Sequence, residues 1–304
     1  MSRIQNILDK AEREGVALRT SRLDAPATAT VPITIEIPTP GPAAGAPVMD
    51  APVMIVPGVA GAHSHAATSA SPANADDAIE SFKTRLNPLL IAGLSPKSLA
   101  AEQYRQLRTR LSHSEGATAL RTILITSPQK GEGKSITAAN LALTMAQELQ
   151  RRVVLVEADL RKPSLQQLFG LPSGPGLADF LAGACELRDA MKFLPDHNLT
   201  VIPAGAMPTN PAELLGSTAM RRLLDQLRSR FDRVILDTPP VLPLADVAVL
   251  APIVDGTLLV VRAGVTPKPA IENALRAFDS SRLLGIVLNE SGLEQDYRYE
   301  ATRH

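Results

Sequence analysis

The sequence predicts an α/β fold, a mostly parallel sheet flanked by helices. Three observations carry that expectation. Short apolar, β-branched runs alternate with amphipathic helical patterns, as in an open sheet with helices on both faces. A glycine-rich turn sits between one such run and the helix that follows it. Acidic residues stand at the ends of the predicted strands, where ligands of open α/β sheets bind.

The elements follow in chain order. Residues 1–22 are read as an N-terminal amphipathic helix, with Ile4, Ile7, Leu8, Ala11 and Leu18 near a 3.6-residue period. Residues 23–78 are read as a disordered linker, because proline recurs among alanine, glycine, serine and threonine while charge nearly vanishes. Within it Val31, Ile33, Ile35 and Ile37 alternate, a pattern for a strand added to a sheet edge that flanking prolines weaken. The main domain is assigned to residues 79–290 and a C-terminal tail to 291–304. In the domain, Asp76–Leu86 is expected as a helix. A second is expected up to Leu111, N-capped by Ser98 and burying Leu99, Tyr104, Leu107 and Leu111. Strands are expected at Ile123–Ile125, Val153–Val156, Leu199–Ile202, Val234–Leu236, Leu258–Val261 and Ile286–Leu288. Further helices are expected from Ser135 through Leu149, at Glu213–Arg230 and at Pro269–Phe278.

The turn after the first of these strands reads Gly131-Glu132-Gly133-Lys134-Ser135-Ile136. Glycines let the backbone curl so that successive N–H groups point inward and cradle phosphate oxygens, aided by the positive end of the following helix dipole. Lys134 would reach the outer phosphates of ATP and Ser135 would ligate Mg²⁺. The strict pattern G-x-x-x-x-G-K-[ST] would have glycine where this chain has Pro128. The expected class is therefore P-loop NTPase-like, with residues 131–136 as the nucleotide site.

Asp237 ends one apolar strand and is followed by the stiff Thr238-Pro239-Pro240, the place of a second magnesium anchor. Glu157 and Asp159 end another strand, and extended geometry would point both to one face. Three carboxylates near Lys134 repel one another unless a cation sits among them, which suggests Mg²⁺. Earlier in the chain Glu102, Arg105 and Arg108 fall at i, i+3 and i+6 along one side of a helix.

Composition excludes other classes. The 31 basic and 31 acidic residues balance, with no basic block, so nucleic acid is not expected as a partner. Aromatic residues make up 3 % and tryptophan is absent, which argues against a base-stacking platform. The single cysteine, Cys185, fits a reducing compartment, and no apolar run reaches the roughly 18–20 residues a membrane span needs. The charged start lacks a signal-peptide core, so a cytoplasmic location is expected.

Together these motifs resemble the bacterial tyrosine kinases of the CpsD/CapB type, which govern capsule and exopolysaccharide export. The resemblance spans about residues 95–290. It rests on Tyr104-Arg-Gln-Leu-Arg-Thr109, Gly131–Ser135, Asp159-Leu-Arg-Lys-Pro163, Ile202-Pro-Ala-Gly205, Pro211-Ala-Glu-Leu-Leu215, Asp237–Pro240 and Leu284–Asn289. The short helical start and linker are similar to the form encoded beside exosortase-type polysaccharide loci.

The resemblance implies an ATP- and Mg²⁺-dependent protein-tyrosine autokinase regulating polysaccharide polymerisation and export. Lys134 would bind the β/γ-phosphates, Ser135 and Asp237 would hold Mg²⁺, and Glu157 and Asp159 would handle metal and accept the tyrosine proton. Glu157 departs from the family's usual aspartate, and Lys130 stands where relatives often carry proline. The acceptors would be Tyr297 and Tyr299 of a neighbouring subunit, a thin version of the family's tyrosine-rich tail. Glu102, Arg105 and Arg108 would join protomers. A membrane chain-length-determinant protein would activate the kinase at the inner face of the membrane, and a cognate tyrosine phosphatase would oppose it. Two other readings compete: a catalytically weak ATP-binding scaffold, and a switch ATPase of the division-site or plasmid-partition type. The switch ATPases carry a lysine where this chain has Gln129 and end in an amphipathic helix, whereas residues 292–304 are polar.

Overall fold

The computed structural model describes residues 33–36, 81–82, 85–113, 120–242, 246–277 and 282–290. The expected helix in 1–22 and the tail tyrosines Tyr297 and Tyr299 lie outside these residues.

The strands form one eight-stranded sheet in the order β1-β8-β7-β2-β6-β3-β5-β4. They are β1 (Ile33–Glu36), β2 (Thr122–Thr126), β3 (Val153–Glu157), β4 (Lys192–Leu194), β5 (Leu199–Ile202), β6 (Arg233–Asp237), β7 (Gly256–Arg262) and β8 (Leu283–Asn289). All neighbours pair in parallel except β1 on β8 and β4 on β5, the antiparallel edges. Every residue of β2, β3, β5 and β6 is buried, which is why their interiors are apolar, Thr200 of β5 excepted.

Alternation along the strands divides the core. Ile123, Ile125, Val153 and Leu155 face one layer. It comprises α1 (Ile91–Leu94), α2 (Leu99–His113), α3 (Lys134–Ala146) and α4 (Leu165–Phe169). Leu124, Val154 and Val156 face the other. There lie α5 (Leu177–Leu181), α6 (Leu187–Ala190), α7 (Pro211–Leu215), α8 (Thr218–Arg230), α9 (Asp246–Leu250) and α10 (Lys268–Arg276). Among the described residues no helix is long and apolar enough to cross a membrane.

Four differences from the sequence reading have physical causes. Residues 33–36, inside the stretch read as linker, pair with Ile286–Asn289 as an edge strand, so backbone hydrogen bonds outweigh the flanking prolines. In the stretch expected as a helix over 76–86, Ser81 instead bridges Phe193 at the opposite edge, and the Phe82 N–H donates to the Phe193 carbonyl at 3.0 Å. The helical pattern ending at Leu149 stops at Ala146, leaving Leu149 94 % exposed. The single helix expected at Glu213–Arg230 is two, because Ser217 caps α8 by accepting from the Met220 N–H at 3.2 Å. Ser98 caps α2 as expected, accepting from the Ala101 N–H at 3.1 Å.

Candidate active site

The central strand β2 delivers the chain into the turn 127–133, and α3 starts at Lys134. Gly131 and Gly133 have φ of +80° and +89°, a region costly for any residue with a Cβ. Gly133 is doubly constrained, since a Cβ there would lie 2.0 Å from Asn289 Nδ2. The buried carboxylate of Glu132 turns back and accepts from the Gln129 N–H at 2.8 Å and from the Thr266 hydroxyl. Burial pushes that carboxyl up, and the bonds from Thr266, Gln129 and Ser127 pull it partly back. Ile136 is half-buried against the core in the first turn of α3. Gly133→Ala is expected to weaken ADP binding at least tenfold and to cost about 2 kcal/mol of stability, read by titration calorimetry and thermal melting. Unchanged binding would mean the turn tolerates another geometry.

Lys134 Nζ lies 2.8 Å from Asp159 Oδ2 and 3.2 Å from Ser135 Oγ. Burial lowers the lysine's proton affinity, but Asp237, Asp159 and Glu157 outweigh it and leave the pKa raised, so Lys134 is charged at neutral pH. Asp237 is fully buried, and no hydrogen bond of ordinary geometry reaches either carboxylate oxygen. Burial pushes its pKa up to about 6, against the pull of the Lys134 charge and the Ser135 hydroxyl and with further repulsion from Asp159. Two buried carboxylate oxygens beside a hydroxyl and an anion cradle fit a hydrated divalent cation.

Glu157 behaves differently from the expectation. It pairs in register with Asp237 on the neighbouring strand. Its carboxylate, however, turns onto backbone, accepting from the N–H groups of Ser164, Leu165 (2.7 Å) and Ala204 (3.1 Å). It thereby ties the end of β3 to the start of α4 and the end of β5. Burial pushes its pKa up to about 7, the backbone donors from Leu165 and Ser164 pull it back, and Asp237 adds repulsion. Asp159 points instead to Lys134, its Oδ1 accepting from the Lys162 N–H at 3.0 Å. The carboxylates expected to share a face diverge, and among the described residues no group of three such side chains converges as a metal cluster.

On α2, Arg105 pairs with Glu102 (2.6 Å) and donates to the Pro96 carbonyl. Arg108 turns toward α3, bonding the Thr144 carbonyl at 2.9 Å and Glu148 at 3.0 Å.

Sequence reasoning missed several supports. Arg161 forms a two-pronged pair with the buried Asp246, at 2.8 and 3.2 Å. Thr238 donates its hydroxyl to the Ile125 carbonyl at 2.9 Å, fixing the turn after Asp237 against β2. Thr266, four residues past β7, and Asn289, the last residue of β8, both hold Glu132 of the glycine turn. A polar residue ending an apolar run was the available signal for Asn289; Thr266 had none.

A family of AAA domains matches residues 120–265. The chain is 38 % identical over 224 residues to tyrosine-protein kinase YwqD of Bacillus subtilis (strain 168), covering 72 % of this chain and 94 % of that one. The chain belongs to the bacterial tyrosine-protein kinases. Within that family the kinase is 34 % identical over 228 residues to tyrosine-protein kinase wzc of Salmonella typhi, matching 73 % of its own length and 31 % of wzc. Among solved structures, the kinase domain of Escherichia coli tyrosine kinase ETK superposes with a TM-score of 0.62 at 32 % identity, over 67 % of this kinase and 79 % of that chain. The chimerical protein CapA2B2 gives 0.63 at 30 % identity, over 68 % and 91 %. These matches show a P-loop kinase fold, which implies nucleotide binding.

Proposed function

We propose that this kinase transfers the γ-phosphoryl group of ATP to Tyr297 and Tyr299 of a neighbouring copy, and so regulates exopolysaccharide or capsule polymerisation and export. The observation that carries the reading is the half-buried Lys134 cation beside the buried Asp159 and Asp237, at the mouth of a loop with two positive-φ glycines. Lys134 holds the β- and γ-phosphate oxygens and opposes the negative charge that grows on them. Ser135 and Asp237, with Asp159 beside them, would hold Mg²⁺, whose contribution is neutralisation of phosphate charge.

In the transfer, a tyrosine oxygen bonds to the γ-phosphorus while the bond from that phosphorus to the β–γ bridging oxygen breaks. ADP leaves with the electron pair. The phenolic proton, with a free pKa of about 10, passes to Asp159, and Glu157 holds β3, α4 and β5 in register around it.

Neighbouring copies would meet along the partly exposed side of α2 through Glu102, Arg105 and Arg108. A membrane chain-length-determinant protein would activate the kinase from the inner membrane face, keeping it peripheral and cytoplasmic, and a tyrosine phosphatase would reset it.

The test is intact mass after incubation with Mg-ATP. Gains of one or two phosphates are expected, absent in Tyr297→Phe/Tyr299→Phe; gains that persist in the double variant would move the acceptor elsewhere. The diversion of Glu157 onto three backbone donors favours a second reading, a weakly catalytic scaffold. ATP binding with no mass gain, even beside the membrane activator, would select it.

A further inference from the structure

Asn289 is where the phosphate loop meets the root of the C-terminal tail. It is the last residue of β8 and 4 % exposed. Its Nδ2 donates to the Glu132 carbonyl at 3.0 Å, and its own carbonyl accepts from the Ala263 N–H at 2.9 Å. Its backbone is in register with Arg262 of β7 on one side and Ile33 of β1 on the other. The next residue, Glu290, turns the chain with a φ of +58° and is held by an ion pair to Arg262. A second tie runs parallel to the first. The Thr266 hydroxyl donates to the Glu132 carboxylate, while Thr266 Oγ1 accepts from the Arg262 N–H at 3.0 Å. The loop is thus bound, through Glu132, to the end of β8, from which the tail departs, and to the turn that follows the neighbouring β7.

A nucleotide phosphate takes up the N–H groups of this loop and so fixes its peptide planes. Fixing the plane that carries the Glu132 carbonyl fixes the partner of a buried side-chain amide, and with it the end of β8. We propose that Asn289 is a positioning residue that couples filling of the phosphate loop to ordering of the tail root, from which Tyr297 and Tyr299 are presented. This rests on the tail being the phosphate acceptor. The coupling itself needs only nucleotide, not transfer.

Hydrogen exchange of the full chain with and without saturating Mg-ADP tests it, because ADP carries no phosphoryl group to transfer in this reaction. In the wild type, exchange over residues 286–290 is expected to slow at least fivefold on ADP binding. In Asn289→Ala, and in Asn289→Ser if alanine impairs folding, α3 keeps its ADP-dependent protection while that of residues 286–290 disappears. Transfer to the tail then falls about tenfold in kcat with KM for ATP within about threefold, the split expected when acceptor presentation alone is lost. No ADP response at 286–290 in the wild type, or the same response in the variants, overturns the coupling. Loss of ADP binding in both variants, with unchanged exchange at 286–290 without nucleotide, also overturns it and leaves Asn289 a support of the loop. A wild-type chain that gains no phosphate on Tyr297 or Tyr299 sinks the acceptor reading instead, independently of the exchange result.

Discussion

Lys134→Met is expected to reduce phosphotransfer roughly 10³-fold, because it deletes the cation that meets the charge growing on the departing phosphate. The same change strands anions inside the protein. Asp159 is 4 % exposed and would keep only the Lys162 N–H, and Asp237 would lose the charge that draws its pKa down. Breaking a buried pair by removing one member costs on the order of 3 kcal/mol. That deficit belongs to the ionised carboxylates. It is fully present at pH 7.5 and shrinks as the pH falls through the range where Asp237 takes up its proton. Thermal melts of the nucleotide-free variant and the wild type at pH 7.5 and pH 4.5, beside an intact-mass phosphotransfer assay, read both effects. Retained transfer in Lys134→Met would remove the basis for the catalytic assignment. A deficit that grew toward acid pH would show that Lys134 is not the partner of these carboxylates.

The parts of this site that were legible in the sequence are those fixed by local pattern. A strand buried on both faces must be apolar throughout, so Ile123–Ile125 and Val234–Leu236 announced themselves, and the polar residues that end them had to be at the sheet's carboxyl edge. The loop was legible because positive φ at Gly131 and Gly133 demands glycine. The edge strand Lys192–Leu194 was missed: three residues with a charge among them carry no period to read. The short helices α4, α5, α6 and α9 lack the length for a pattern and are held by packing. The direction of Glu157 could not be read, because its partners Ser164, Leu165 and Ala204 are chosen by how β3, α4 and β5 come together. Asn289 was legible as the end of a motif but not as a contact, since its partner lies 157 residues earlier in the chain.

Asp237→Asn is expected to separate the proton from the metal. In the folded wild type, burial raises Asp237 to about 6 and Glu157 to about 7, both above their ordinary values. A carboxyl with a raised folded-state pKa binds its proton more tightly when folded. Its contribution is therefore most favourable in acid and is lost as pH rises, from about 4 to about 6 for Asp237 and from about 4.5 to about 7 for Glu157. Roughly two units at Asp237 correspond to about 3 kcal/mol, an upper figure because its titration is shared with Lys134. Without nucleotide, Asp237→Asn is expected to flatten the lower part of this profile and to melt higher than the wild type at pH 7.5. With Mg-ADP the order reverses. A cation on Asp237 competes with the proton, so the extra stabilisation by Mg-ADP over ADP with chelator should be larger at pH 7.5 than at pH 5.5 in the wild type. In Asp237→Asn it should be small at both. Phosphotransfer by the variant should fall on the order of 10²- to 10³-fold. Melting curves across pH, with ADP plus magnesium or plus chelator, decide it. A magnesium increment as large in Asp237→Asn as in the wild type would mean that the cation is held by Ser135 and Asp159 without Asp237. The two buried oxygens would then be a stability cost that nucleotide binding does not relieve.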